Sequence, residues 1–158
     1  TILNKLKIKT TNPKLNDWKR VIKAKLLPER EVNVSFVGKY TELKDSYKSI
    51  NEALEHAGIK NKVQVNINFV EAENLTSKNI RKTLKNADAV LVPGGFGERG
   101  IEGMILACKY ARENDIPYLG ICLGMQVAII EYARNVLKLK GANSTEFNQD
   151  TNCLLLHI

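Results

Sequence analysis

The sequence is poor in the residues that build disulfide frameworks, metal sites and membrane spans. It contains three cysteines, Cys108, Cys122 and Cys153, and two histidines, His56 and His157. Because the cysteines are odd in number and form no C-x-x-C pair, we expect neither a disulfide framework nor a metal site. No apolar run approaches the roughly 20 residues that a membrane-spanning helix needs, and the N-terminal segment has no apolar signal core. We therefore predict a cytoplasmic location with no membrane partner.

Positive charge is concentrated at one end of the chain. The formal net charge is +7, and the excess of lysine and arginine lies largely in the first 30 residues. That stretch lacks interleaved aromatic residues and matches no nucleic-acid-binding motif. We interpret it as a solvated basic face or a contact between domains, and we predict no nucleic-acid partner.

The same basic stretch contains an amphipathic helix that Pro28 ends. Its apolar stripe consists of Leu15, Trp18, Val21, Ile22 and Leu26. A lone amphipathic helix ahead of a domain usually packs on a neighbour. We therefore predict that residues 1–30 form an interdomain linker and that residues 31–158 belong to one domain.

From residue 32 onward the pattern alternates between strands and helices. Strand-like runs lie at 32–38, 63–70, 88–95 and 116–122, and helical patterns at 44–58, 77–87, 101–115 and 123–139. In the first of these helices we expect Ala57 to point inward and Gly58 to end the helix. Apolar strands separated by helices predict an α/β fold with an open, mostly parallel sheet and helices on both faces.

Two glycine-bearing loops follow predicted strands. "PGGFGERG" follows the strand near residue 90, and "GICLG" follows the strand near residue 119. Active sites of open parallel sheets collect at the carboxyl ends of strands. "PGGFGERG" is neither a G-x-G-x-x-G motif nor a P-loop. It is either a plain turn or a turn that aims a backbone N–H at a reacting carbonyl group.

The second loop has the form of a nucleophile elbow, with Cys122 between Gly120 and Gly124. A nucleophile on a tight strand-to-helix turn needs a strained backbone, and glycine at the flanking positions avoids clashes with the neighbouring strand and helix. The helix dipole and free N–H groups favour the thiolate of Cys122, and the N–H of Leu123 points to where an oxyanion forms. The alternative is a buried cysteine in a glycine-bearing turn.

The remaining cysteines and His56 carry weaker signals. Cys108 lies on the apolar side of a predicted helix and Cys153 in the terminal apolar run, so we interpret both as structural. His56 precedes a predicted helix end, far from both glycine loops in sequence, and is a poor candidate for a catalytic base.

Three motifs together resemble a known family. "PYLGICLGMQ", "VPGGFG" and "GANSTEF" are similar to the glutaminase domain of the CTP synthase family, a class I glutamine amidotransferase domain with a flavodoxin-like fold. The segment "VGKYTELKDSYKSINEALEHAG" adds to the likeness, which runs from about residue 15 to about residue 150. The resemblance includes the helix that links the synthase and glutaminase domains in the family.

The resemblance implies a glutaminase site. Cys122 would attack the carboxamide of glutamine, form a thioester and release ammonia. The N–H groups of Gly95 and Leu123 would form the oxyanion hole, and Glu146 would pair with the α-amino group of the substrate. The implied glutamine-binding residues are Gly95, Leu123, Gly124, Met125, Gln126 and Glu146.

The resemblance also implies partners outside this chain. An amidoligase domain of the same polypeptide would use the ammonia, together with ATP and Mg²⁺, to convert UTP to CTP, with GTP as an allosteric activator. The complete enzyme would be a homotetramer. No cofactor is expected in residues 1–158, and no metal site.

The chain departs from the family at its C-terminal side. The family draws its catalytic His and Glu from a His-x-Glu motif beyond residue 158, and His157 does not supply it. We therefore expect the linker and the N-terminal part of a glutaminase domain, incomplete at the C-terminal side. The alternatives are a truncated, catalytically incompetent domain that acts as a binding or assembly module, and another class I amidotransferase with a different acceptor.

Overall fold

Strands and helices alternate along the chain in the computed structural model, which describes residues 2–9, 13–39, 44–151 and 153–156. The helices are α1 (Ile2–Lys5), α2 (Asn16–Leu26), α3 (Lys48–Asn61), α4 (Ile80–Leu84), α5 (Ile101–Glu113) and α6 (Leu123–Asn135). The strands are β1 (Arg30–Gly38), β2 (Val63–Glu71), β3 (Ala89–Val92), β4 (Tyr118–Gly120), β5 (Ala142–Ser144) and β6 (Cys153–Leu156). Short 3₁₀ turns cover Lys44–Tyr47 and Ala72–Asn74.

Four strands form a parallel sheet in the order β2-β1-β3-β4. Phe36 of β1 lies between Phe69 of β2 and Leu91 of β3, and Leu91 is paired in turn with Leu119 of β4. Since all four strands run in one direction, their carboxyl ends lie at the same edge of the sheet. The loops after β1, β3 and β4 all start at that edge.

Helices cover both faces of this sheet, which confirms the fold class predicted from the sequence. On one face α5 and α6 pack on Val90 and Val92 of β3, with Met104 and Val127 in the shared core. On the other face the 3₁₀ turn at Tyr47 and helix α3 pack on a second cluster around Phe36. Apolar residues on both sides of β3 explain why its sequence, Ala89–Val92, lacks an apolar–polar alternation.

Helix α3 corrects two details of the sequence-based prediction. Gly58 is buried within the helix, which continues to Asn61 and ends at Lys62 in the left-handed conformation with φ of 55°. A Cβ on Gly58 would lie 2.5 Å from the carbonyl oxygen of Val63. Glycine is therefore required for the close approach of α3 to β2, and it does not end the helix. Ala57 is exposed, contrary to the prediction that it points inward.

The predicted amphipathic helix is present as α2, and its apolar stripe is exposed to solvent in this chain. Trp18, Ile22 and Leu26 are each more than half exposed. The helix contacts the domain through Lys25, whose ammonium pairs with Glu55 of α3. The assignment of residues 1–30 as a linker between domains stays a prediction.

A second, small sheet consists of β5 and β6, which pair in parallel with a register irregularity at Asn143 and Ser144. The terminal apolar run has strand character in the sequence, but no local signal indicates its partner. In the described part of the chain, no helix has both the length and the apolar character that crossing a bilayer requires.

Candidate active site

The backbone at Cys122 is strained in the manner of a nucleophile elbow. Cys122 has φ of 52° and ψ of −102° and stands between β4 and the first residue of α6. A Cβ on Gly120 would lie 2.4 Å from the carbonyl oxygen of Gly124, and one on Gly124 would lie 2.2 Å from that of Val92. Both flanking positions therefore require glycine, because backbone atoms occupy the space of a side chain. The Cys122 side chain itself is exposed.

Hydrogen bonds fix this turn at the sheet and at the helix. Ile121 N–H donates to the carbonyl of Val92 at 3.0 Å, and Met125 N–H donates to that of Cys122 at 3.0 Å. The hydroxyl of Tyr118 donates to the carbonyl of Gly124 at 2.8 Å. Leu123 opens α6, so its N–H belongs to the first turn, whose N–H groups have no partner within the helix.

The loop after β3 lies directly beside this elbow. A Cβ on Gly94 would lie 3.6 Å from that of Cys122, and one on Gly95 would lie 3.2 Å from Cδ2 of Leu123. The two glycine loops that the sequence singles out are therefore adjacent at one edge of the sheet. This arrangement places a backbone segment with two consecutive glycines against the nucleophile.

Glu146 connects the loop to helix α6. Its Oε1 accepts a hydrogen bond from Gly97 N–H at 3.3 Å, and its Oε2 accepts one from Nε2 of Gln126 at 2.9 Å. Gln126 is 5% exposed, and its Oε1 is buried with no hydrogen-bond partner in the described part of the chain. A carboxylate and an orphaned amide oxygen, both acceptors, thus lie together at the first turn of α6, the helix that Cys122 precedes.

Lys39 lies at the same edge, directly after β1. Its side chain is buried, and its Nζ donates to the carbonyl of Phe96 at 2.9 Å and to that of Gly97. Burial lowers the pKa of the Lys39 ammonium below its ordinary value, and the carboxylate of Glu146 opposes this shift.

The two other cysteines are not part of the elbow loop. Cys108 is buried in the core between α5 and α6, where burial raises the pKa of its thiol to about 12. This confirms the structural interpretation of Cys108. Burial also raises the pKa of the neighbouring Tyr118 hydroxyl. Cys153 is half-buried in β6.

The described histidine and acidic residues were also compared with the requirements of a metal site. His56 is exposed on α3 and lines a groove toward α2 with Arg20 and Val21. His157 lies outside the described residues. Among the residues that the structure describes, no group of three or more His, Cys, Asp or Glu side chains could hold a metal ion.

The structure brings together most of the residues that the sequence proposes for the site. Gly95, Leu123 and Gly124 meet at the elbow, and Gln126 and Glu146 form a pair beside it. The side chain of Met125 lies apart from them, since it is 53% exposed and lines an apolar groove along α6. Their roles in binding and catalysis stay predictions at this stage.

Sequence reasoning missed Lys39 and Tyr118. Lys39 directly follows a predicted strand and therefore lies at the active edge of the sheet, which was the available signal. Tyr118 precedes the elbow within an apolar strand, and nothing in its spacing indicates that its hydroxyl reaches Gly124.

The chain belongs to the class I glutamine amidotransferase family, whose sequence profile matches residues 42–155. In a comparison with solved structures it is similar to the glutaminase domain of Trypanosoma brucei CTPS with bound acivicin, with 43% sequence identity and a TM-score of 0.76. The match covers 80% of this chain and 50% of that one, so the chain spans about half the length of the structure that it matches. These comparisons confirm the resemblance derived from the sequence motifs.

Proposed function

We propose that this chain supplies the nucleophile for hydrolysis of glutamine in a CTP synthase. The thiolate of Cys122 attacks the carboxamide carbon of glutamine, and a carbon–sulfur bond forms while the carbonyl oxygen becomes an oxyanion. The carbon–nitrogen bond then breaks, the nitrogen takes up a proton, and ammonia leaves a glutamyl thioester on Cys122. Attack by water cleaves the thioester to glutamate and restores the thiol.

The observation that carries this proposal is the strained backbone of Cys122. A non-glycine residue with φ of 52° and ψ of −102° costs about 1–3 kcal/mol, and such strain is concentrated at functional sites. A cysteine that served only to fill the core would gain nothing from this conformation. Its side chain is exposed, as a nucleophile that meets a substrate must be.

The neighbouring backbone supports an oxyanion hole formed by Leu123 and Gly95. Leu123 N–H lies in the first turn of α6, next to the nucleophile, where the helix dipole also favours negative charge. Gly95 lies against the side chain of Leu123. One donor would thus come from each of the two glycine loops.

Glutamine recognition is proposed for Glu146 and Gln126. The Glu146 carboxylate is the acidic group next to the elbow, and an ammonium group of a substrate is its natural partner. The unpaired Oε1 of Gln126 is costly while buried, because an orphaned acceptor forfeits its hydration. A donor group of bound glutamine would offset this cost, with Gly95, Leu123, Gly124 and Met125 contributing backbone contacts.

The base that activates Cys122 is proposed to come from outside these 158 residues. A thiol nucleophile of this kind works with an adjacent base. His56 faces α2 on another part of the domain, so it does not serve Cys122. Under this proposal a later segment of the full-length protein supplies a His and a Glu to the elbow.

In the complete protein, we propose that the ammonia is consumed by an amidoligase domain of the same polypeptide. That domain would bind ATP and Mg²⁺ and convert UTP to CTP, with GTP as activator and a homotetramer as the assembled form. Residues 1–30 would connect the two domains. A different acceptor for the ammonia is the alternative, and formation of CTP from UTP and glutamine by the full-length protein distinguishes the two.

Trapping of the thioester tests the proposed function. The full-length protein is mixed with labelled glutamine, quenched in acid during turnover and digested, and the peptides are analysed by mass spectrometry. We expect a glutamyl adduct on the peptide that contains Cys122. In Cys122→Ala, both the adduct and the production of glutamate should be lost. Unchanged glutamate production in that variant would refute the proposal and leave the chain as a binding or assembly module.

A further inference from the structure

Lys39 is a buried lysine whose two ends are both fixed. Its side chain is only 3% exposed, and its backbone carbonyl accepts a hydrogen bond from the hydroxyl of Tyr47. Tyr47 is itself buried and packs on Phe36, with ring centroids 4.7 Å apart. Burying an ammonium group is costly unless hydrogen bonds replace its water. The acceptors that do so here are the carbonyls of Phe96 and Gly97.

These acceptors belong to the loop that lies against the nucleophile. The loop from Gly94 to Gly97 is part of no helix or strand, and the side chain of Phe96 is 88% exposed. Side-chain packing of Phe96 therefore does not hold the loop in place. Its position depends on polar contacts from the rest of the domain.

A single peptide group of this loop is held from both sides by opposite charges. The peptide between Phe96 and Gly97 offers its carbonyl to the Lys39 ammonium and its N–H to the Glu146 carboxylate. Hydrogen bonds to charged groups are about twice as strong as neutral ones. A peptide plane fixed at its oxygen and at its nitrogen cannot rotate without breaking one of them.

We call the two hydrogen bonds to the Phe96–Gly97 peptide the clamp. The clamp matters because two consecutive glycines lie next to it, on the side of the nucleophile. Gly94 and Gly95 have wide conformational freedom, so the peptide group between them can turn over unless its neighbours are fixed. That peptide carries the N–H of Gly95, and a Cβ on Gly95 would lie 3.2 Å from the Leu123 side chain of the elbow. Only the Gly95–Phe96 peptide lies between it and the fixed Phe96–Gly97 peptide, so fixing the latter restricts the orientation of this N–H.

We propose that Lys39 is a positioning residue for glutamine hydrolysis: its ammonium clamps the Phe96–Gly97 peptide and thereby keeps the N–H of Gly95 aimed at the oxyanion. Lys39 touches neither the substrate nor Cys122 in this account and acts through the loop. The inference rests on the proposed function, because it assigns Lys39 to the same reaction. With Lys39, the carboxyl end of β1 contributes to the site in addition to the ends of β3 and β4.

Steady-state kinetics of Lys39→Met in the full-length protein tests this role. Methionine keeps an unbranched side chain and removes the charge. We expect kcat for glutamate formation to fall about 10- to 100-fold, less than the roughly 10²- to 10³-fold that loss of an oxyanion donor costs, with a smaller change in KM. Lys39→Arg, which restores a cation, should recover part of the kcat. Lys85→Met, at an exposed lysine in the turn after α4, is the matched control and should stay within about twofold of wild type.

A second measurement separates positioning from general support of the fold. Alkylation of Cys122 by iodoacetamide needs an accessible thiol but no oxyanion hole, so its rate in Lys39→Met should equal that of wild type. A wild-type kcat in Lys39→Met would overturn the inference, as would a parallel loss of kcat and alkylation rate. A wild-type protein whose glutamate formation does not depend on Cys122 would instead overturn the proposed function, and the inference with it.

Discussion

At the scale of single residues, the geometry around Cys122 depends on backbone atoms that approach each other more closely than side chains permit. Gly120 meets the carbonyl of Gly124, and Gly124 meets that of Val92. Gly94 faces the nucleophile at an ordinary van der Waals distance instead. The glycines of this site thus differ in whether they have room for a side chain. Alanine substitutions measure this difference.

We expect Gly124→Ala to destabilise the protein and Gly94→Ala to leave its stability nearly unchanged. A methyl group on Gly124 would lie 2.2 Å from a backbone oxygen, so α6 must move away from β3, which costs about 1–3 kcal/mol or more. On Gly94 the nearest atom is 3.6 Å away, and the change in the free energy of unfolding should stay within about 1 kcal/mol. Urea denaturation of the two variants measures the difference, and equal stabilities would contradict the elbow geometry.

The buried thiol of Cys108 should resist alkylation at neutral and mildly basic pH. Burial raises the pKa of Cys108 to about 12, so the protonated thiol persists well above neutral pH. At pH 8 only about one Cys108 in 10⁴ is a thiolate by that pKa, and access is blocked as well. We expect iodoacetamide to modify exposed Cys122 between pH 7 and 9 and to spare Cys108 throughout. Rapid modification of Cys108 in the native protein at pH 8 would show that the α5–α6 core is open.

At the scale of elements, a charged pair joins the two helices that cover one face of the sheet. Arg112 of α5 contacts both carboxylate oxygens of Glu131 of α6, at 2.8–3.2 Å. The Glu131 side chain is 1% exposed and the Arg112 side chain 35%. Loss of the guanidinium would leave a buried carboxylate without its cation.

We expect Arg112→Met to lower the free energy of unfolding by about 2–3 kcal/mol. This lies below the roughly 3–5 kcal/mol of fully buried pairs because Arg112 is partly exposed. Arg20→Met is the matched control: Arg20 pairs with Asp17 on the surface of α2, and its loss should change stability by less than about 0.5 kcal/mol. Urea denaturation compares the two, and similar effects at both positions would contradict a specific role of the buried pair.

Helices and strands with a regular pattern of apolar residues could be predicted from the sequence. Features that depend on contacts with a distant segment could not. Apolar and polar residues alternate from Val63 onward, and this pattern indicates β2. Short apolar runs indicate β3 and β4. Such patterns are visible in the sequence because they reflect which faces of a strand are buried. Gly58 misled the prediction because a glycine is required there by the approach of β2, a tertiary contact. The pairing of β5 with β6 likewise depends on a partner that no local pattern shows.

In the candidate site, too, residues of a local motif could be predicted from the sequence, whereas residues brought in by the fold could not. Cys122 and its two glycines form a local motif, so the sequence alone indicates the elbow. Lys39 is 83 positions before Cys122 in the numbering and reaches the site only because parallel strands end at one edge. Its contacts with the Phe96 and Gly97 carbonyls follow from the fold and not from any motif.

At the scale of the whole molecule, we expect the 158-residue chain by itself to turn over little or no glutamine. Cys122, Gly95, Leu123, Gln126 and Glu146 lie within it, whereas the proposed base does not. The rate of glutamate formation by the chain should be at least about 10²-fold below that of the full-length protein, the usual contribution of general acid–base catalysis. A rate similar to that of the full-length protein, abolished by Cys122→Ala, would show that the base lies within these residues.

The most direct test of the central claim is to label the full-length protein with a glutamine analogue that carries a diazoketone and to map the label by mass spectrometry. If Cys122 is the glutamine nucleophile, the label is found on Cys122, excess glutamine protects it, and Cys108 and Cys153 are unmodified. Equal labelling of all three cysteines, or labelling that glutamine does not slow, would contradict the account.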